Sequence, residues 1–179
     1  MIKEAIKKLV AGNDLTFDEA AQVMDEMFSG TATQSQMAAY LTALRIKGET
    51  IDEITASAQV MREKALHIKP NRDVLDIVGT GGDGTGTFNI STTAAFIIAA
   101  AGIPVAKHGN RSMSSKSGSA DCLEQLGINI NITPEKSEEV LNKAGICFMF
   151  AQGYHSSMKY VGPVRKEIGI RNIFNVDRK

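Results

Sequence analysis

Short apolar runs that end in polar, glycine-rich loops constrain this chain more than any other feature. Residues 74–78 run into Gly79-Thr80-Gly81-Gly82-Asp83 and on to Asn89-Ile90-Ser91-Thr92. Residues 103–106 run into Lys107-His108-Gly109-Asn110-Arg111-Ser112. An apolar helical pattern over residues 91–101 lies between them. Strand, loop, helix and strand in that order predict a right-handed crossover and a parallel sheet. Apolar residues on both sides of each run suit strands covered by helices. The alternation continues with a helix over 119–126, a strand over 128–132, a helix opened by Thr133-Pro134-Glu135 and a strand over 146–151. Ligands of such sheets bind beyond the carboxyl ends of the strands, so both loops are expected to open on one edge.

The first part of the chain, to about Leu66, has a different rhythm. Apolar residues recur at helical spacing in four stretches: Ile2, Ile6, Leu9 and Val10; Phe17, Ala20, Met24 and Phe28; Met37, Tyr40, Leu41 and Leu44; Ile51, Ile54, Ala58, Met61 and Ala65. Thr16 with Glu19, Thr33 with Gln36 and Thr50 with Glu53 fit the capping-box pattern, and Gly12, Gly30 and Gly48 stand at the expected stops. The fold class predicted is therefore α/β: an N-terminal helical bundle followed by a parallel-sheet α/β domain. The domain boundary is expected at Pro70, within a polar break over residues 67–72 that reads as a hinge, giving domains 1–69 and 70–179.

The loops carry the chemistry. Between Asp83 and Asp121 there is no Asp or Glu, but there are Lys107, Arg111 and Lys116 among Asn110, Ser112, Ser114, Ser115, Ser117 and Ser119. Glycines bare backbone N–H groups, hydroxyls add donors and the charges share one sign, which points to a phosphorylated ligand. A simple strand-to-helix turn does not need so many glycines. Gly79-Thr80-Gly81-Gly82-Asp83-Gly84 matches the dinucleotide fingerprint in form, but Lys107-His108 stands where that fingerprint needs an acid. Thr85 stands where an ATPase loop needs lysine. No covalent nucleophile and no clear general base emerge, and His108 is the one candidate base. The acidic pairs Asp18-Glu19, Asp25-Glu26 and Asp52-Glu53 read as helix starts and surface faces rather than metal ligands.

Bulk properties narrow the partners. Twenty basic and twenty acidic residues give a formal net charge of zero, which argues against general binding to nucleic acid. The most apolar stretch is broken by Gly102 and Pro104 and is too short to span a membrane. Met1 to Leu9 is charged throughout and lacks an apolar signal core. Cys122 and Cys147 match no zinc spacing and read as reduced thiols, so a cytoplasmic location is expected.

The strings Gly79 to Asp83, Thr87-Phe88-Asn89-Ile90-Ser91-Thr92, and Lys107 to Ser112 through Ser119-Ala120-Asp121 closely resemble the anthranilate phosphoribosyltransferase family. The resemblance runs over essentially the whole chain, including Gly162-Pro163-Val164-Arg165. It implies a fold like that of nucleoside phosphorylases and phosphoribosyltransferases, with residues 160–179 returning to the helical domain. It implies transfer of the phosphoribosyl group from phosphoribosyl pyrophosphate (PRPP) to anthranilate, in tryptophan biosynthesis. Gly79, Gly82, Asp83, Thr87, Asn89, Ile90, Ser91 and Thr92 would bind PRPP. So would Lys107, His108, Gly109, Asn110, Arg111, Ser112, Met113, Ser114, Ser115 and Ser119. Gly79, Asn110 and Arg165 would bind anthranilate, Arg165 through the carboxylate. Mg²⁺ would be the cofactor, with Ser91 among its ligands.

A homodimer through the helical domain is implied as well. The family's chains continue well beyond a segment like Asn172-Ile173-Phe174-Asn175 and carry there an Asp-Glu pair for magnesium. By resemblance this chain corresponds to the N-terminal portion, with the α/β domain incomplete. A pyrimidine nucleoside phosphorylase, or a non-catalytic binding module of the same fold, stands as the alternative.

Overall fold

The structure is a computed structural model, and it describes residues 1–79, 88–111 and 117–174. In chain order the described helices and strands are α1 (Ile2–Val10), α2 (Phe17–Phe28), α3 (Gln34–Lys47), α4 (Ile51–Lys64), α5 (Ile90–Ala100) and β1 (Val105–Gly109). They continue as α6 (Ser119–Gln125), α7 (Pro134–Ala144), β2 (Ile146–Phe150), α8 (Ala151–Tyr154) and α9 (Met158–Ile168). They divide into two compact units. One joins Met1–Ala65 to the segment that begins at His155, and the other spans Leu66–Tyr154.

The first unit is a helical bundle. Each capping box forms in full: the Thr16, Thr33 and Thr50 hydroxyls accept the N–H three residues on, and Glu19, Gln36 and Glu53 accept the threonine N–H in return. Two orphan donors per helix start are thereby satisfied without water. The core gathers Leu9, Val23, Met24, Met27, Tyr40, Leu41 and Leu44 from α1, α2 and α3, and Val161 and Val164 from α9. Helix α4 is rotated from the expected phase. Ile51 is 81 % exposed, and the buried face carries Glu53, Ala56, Ser57 and Val60 instead. The reason is Glu53. Its carboxylate accepts the Leu15 N–H at 3.0 Å, the Thr50 N–H at 2.8 Å and the Lys47 ammonium at 3.0 Å. A carboxylate with three donors is tolerated inside, and it sets the face that α4 turns inward.

The second unit is built on parallel strands. β1 and β2 pair in register from Val105 with Ile146 to Gly109 with Phe150. The strand expected over 74–78 shrinks to one parallel bridge, Leu75 with Val105. Beyond Leu75, side chains replace the ladder: Asp76 Oδ1 accepts the His108 N–H at 3.1 Å, and Lys107 donates to the Ile77 carbonyl at 2.6 Å. The strand expected over 128–132 does not form. Asn129 Oδ1 accepts the Asn131 N–H at 3.0 Å, a local bond that competes with any ladder, while Ile130 is buried beside Leu123, Phe148 and Phe150. Helix α7 starts as expected, with Thr133 capping Lys136 N–H and Pro134 at the first position.

Candidate functional site

Within the Leu66–Tyr154 unit the described parts of the two loops meet at the carboxyl end of β1. Lys107 lies on the strand itself and is only 3 % exposed. Its ammonium donates to the Ile77 carbonyl at 2.6 Å and to the Ser91 hydroxyl at 3.2 Å. One side chain thus ties the end of the first apolar run to the start of α5. Burial holds the Lys107 pKa below its ordinary value, with Asp76 opposing that shift. Gly79 adjoins the same point, since a Cβ on it would stand 3.9 Å from Ser91 Oγ.

Helix α5 presents its amino terminus here. Asn89 occupies the cap position without using its side chain as a cap, and its amide instead donates to Ser117 Oγ at 3.4 Å. Of the first N–H groups of α5, that of Ile90 donates to the Phe88 carbonyl at 2.7 Å and that of Thr93 to the Asn89 carbonyl at 2.9 Å. Among the described residues no acceptor meets those of Ser91 and Thr92, and the helix dipole favours an anion there. Ser91 is half-buried on this first turn, Ile90 is exposed, and Thr92 is buried with no hydrogen-bond partner at its hydroxyl.

His108, Gly109, Asn110 and Arg111 follow Lys107. Burial lowers the His108 pKa, Asp76 opposes the shift and Lys107 adds to it, so the imidazole is held neutral. Gly109 is buried because the chain beside it leaves no room: a Cβ would meet Ser119 Oγ, and would stand 2.7 Å from the Phe148 ring. The Asn110 carbonyl accepts the Ala120 N–H and the Ser119 hydroxyl, each at 3.2 Å, and so is tied to the start of α6. Arg111 is paired with Asp121 and Glu124. The uniformly basic character read from residues 84–120 is therefore modified in space, because Asp76, Asp121 and Glu124 reach the loop from outside that stretch. The Gly118-x-x-Asp121 box and the placement of Glu124 one turn further along α6 are the signals that could have revealed this.

Gly82, Asp83, Thr87, Ser112, Met113, Ser114 and Ser115 lie outside the described residues. Arg165 belongs to the other unit, on α9, with its guanidinium 4.9 Å from the Phe174 ring centre. A cavity of about 410 Å³ lies against α5, α6, α7 and β2. Its lining by Ala95, Phe96, Leu123, Val140, Cys147 and Phe148 suits carbon rather than phosphate. Cys147 is buried there, which pushes its thiol up to about 11 and leaves it inert.

Mg²⁺ takes oxygen ligands, chiefly carboxylates and water. Among the described residues no group of three or more His, Cys, Asp or Glu stands together. Ser91 Oγ has an ammonium 3.2 Å away, which repels a dication. The described residues do not by themselves fit a Mg²⁺ site.

A helical bundle followed by a parallel α/β unit with an anion-seeking strand edge defines a class, and sequence comparison gives it a name. Residues 3–65 match the helical bundle domain of the glycosyl transferase family, and residues 71–177 match its a/b domain. The chain belongs to this family. Within it, the chain is 62 % identical to the anthranilate phosphoribosyltransferase of Endomicrobium trichonymphae and 60 % identical to that of Ruminiclostridium cellulolyticum. Each match covers 98 % of this chain and 52 % of the relative. The chain spans about half the length of the curated relatives it matches.

Solved structures agree. The anthranilate phosphoribosyltransferase of Thermus thermophilus superposes with a TM-score of 0.86 at 45 % identity, over 97 % of this chain and 53 % of that one. The enzyme of Saccharomyces cerevisiae in complex with PRPP and Mg gives 0.85 at 28 % identity, over 98 % of this chain and 53 % of that one. No helix among the described residues is long and apolar enough to cross a membrane.

Proposed function

We propose that this chain carries the PRPP-binding part of an anthranilate phosphoribosyltransferase, which transfers the phosphoribosyl group to anthranilate and releases pyrophosphate. One observation carries the reading: the Lys107 ammonium, the Ser91 hydroxyl and the start of α5 converge where a polyanion would sit. In the reaction the anthranilate nitrogen forms a bond to the ribose carbon while the carbon–oxygen bond to pyrophosphate breaks. The electron pair leaves with pyrophosphate, and the amine proton passes to water. Positive charge grows on the sugar and negative charge on the leaving group, so donors at the leaving group lower the barrier.

In this reading Lys107 and the N–H groups of Ser91 and Thr92 on the first turn of α5 hold the pyrophosphate. Gly79, Gly82, Asp83, Thr87, His108, Gly109 and residues 112–115 complete the donor site, and Ser119 supports it. Asn110 and Arg165 bind anthranilate, the guanidinium fork of Arg165 meeting the carboxylate. The aromatic amino group of anthranilate is unprotonated near pH 7, so the reaction does not require a strong general base. A requirement for Mg²⁺ is tested in the same assay, and no step is routed through the ion. The homodimer through the helical unit and the cytoplasmic setting belong to the same proposal, and sedimentation of the purified chain tests the first.

The test of function is a fluorescence assay with PRPP, Mg²⁺ and anthranilate. Loss of anthranilate fluorescence that needs all three supports the reading. Phosphorolysis of thymidine or uridine without any use of PRPP would overturn it.

A further inference from the structure

The Arg111 guanidinium is already paired within its own unit. Its Nη1 donates to Asp121 Oδ1 at 3.0 Å and to Glu124 Oε2 at 2.6 Å, and its Nη2 donates to Glu124 Oε1 at 2.8 Å. The guanidinium carbon stands 5.6 Å from the centre of the Phe150 ring, the last residue of β2. Asp121 uses its other oxygen to accept the Gly118 N–H at 2.8 Å, which fixes the start of α6. On the other side, the Arg111 N–H donates to Asn110 Oδ1 at 2.8 Å, and the Asn110 carbonyl is held by Ala120 and Ser119. Arg111 therefore joins three elements: the end of β1, the end of β2 and the face of α6.

A phosphate approaching this guanidinium meets two carboxylates already in place. Forked pairing with Glu124 is the strong arrangement for an arginine, and the second carboxylate adds to it. The opposing charges also cancel the attraction that a free cation would offer.

We propose that Arg111 is a positioning residue that acts through Glu124, clamping the strand end that carries Asn110, and that it does not itself hold the ligand's phosphates. Glu124 thereby becomes a determinant of the site although it lies on α6 and not in the loop. The proposal rests on the PRPP reading for what the site binds. The clamp itself rests on the bonds above.

The test is calorimetric titration of the 179-residue chain with inorganic pyrophosphate and with PRPP, using Arg111→Met, Arg111→Lys, Glu124→Met and the double variant Arg111→Met/Glu124→Met. The clamp predicts that each single change weakens binding by about fivefold, the upper range for a well-formed exposed pair. The double change is then no worse than either single one. Lysine does not rescue position 111, because it has no fork. The ionic-strength dependence of pyrophosphate binding stays as in the wild type, since no contact to the anion has been removed. Tighter or unchanged binding in Glu124→Met, with rescue by Arg111→Lys and a flatter salt dependence in Arg111→Met, would overturn the proposal and make Arg111 a direct ligand.

If the wild-type chain binds neither probe, the functional reading fails, and hydrogen exchange at the Ala120 amide decides the clamp. Faster exchange in Arg111→Met and in Glu124→Met, equal in the double variant, supports it. Exchange unchanged by either substitution overturns it.

Discussion

Replacing Gly109 by alanine tests how closely the strand end is fitted to its surroundings. The added Cβ would meet Ser119 Oγ and would stand 2.7 Å from one Phe148 ring carbon and 3.0 Å from the next. Carbon atoms rest about 3.5–4.0 Å apart, so the ring edge must retreat by about 0.8 Å or the strand end must move. Phe148 is 7 % exposed and locked among Ala120, Leu123, Ile130 and Phe150, so retreat is opposed. Overpacking of this kind costs about 1–3 kcal/mol. For a unit of this size each kcal/mol lowers the melting temperature by about 4–8 °C. Because Ser119 also holds the Asn110 carbonyl, PRPP affinity should fall by about tenfold when the serine is displaced. Thermal melts and titrations of Gly109→Ala check both numbers. Adding Ser119→Ala should recover part of the stability, a non-additivity expected of touching residues. A Gly109→Ala protein that melts with the wild type and binds PRPP equally would refute the close fit.

Three further outcomes follow from the same geometry. Glu53→Ala leaves two N–H groups without their acceptor and the Lys47 ammonium with Asp14 alone, and urea unfolding should show a loss of about 2–3 kcal/mol, while Glu53→Gln should lose less. His108 titrates at 6.5 in the unfolded chain and lower in the folded one, so the unfolded chain binds more protons just below pH 6.5. Stability should therefore drop as pH falls below about 6.5, and His108→Gln should flatten that drop in melts run across the range. Arg165→Ala should raise the KM for anthranilate by about 10- to 100-fold while PRPP affinity stays close to wild type, as separate titrations would show.

Much of this was legible in the chain because it depends on local rules. The capping boxes at Thr16, Thr33 and Thr50 form as spaced, since a threonine and an acid or amide three residues apart need only each other. The start of α7 was likewise visible in Thr133-Pro134, and α5, expected over 91–101, runs over Ile90–Ala100. What the sequence could not reveal depends on partners distant along the chain. The inward turn of Glu53 needs Leu15, which lies 38 residues away. The curtailed first strand needs Asp76 and Lys107 to trade bonds across 30 residues or more. Asn129 falls within the strand expected over 128–132, yet its side chain accepts the N–H of Asn131 two residues on. At the site, the position of Lys107 after an apolar run was readable. Its burial, and the neutralisation of Arg111 by α6, were not.

The central claim is that Lys107 and the start of α5 form a seat for the pyrophosphate of PRPP, and calorimetric titration of PRPP into the 179-residue chain and its Lys107→Met variant measures it most directly. The account predicts saturable one-site binding in the wild type that weakens at least about tenfold in Lys107→Met, as loss of a charge-assisted contact requires. Equal binding by both proteins, or no binding by the wild type, would contradict it.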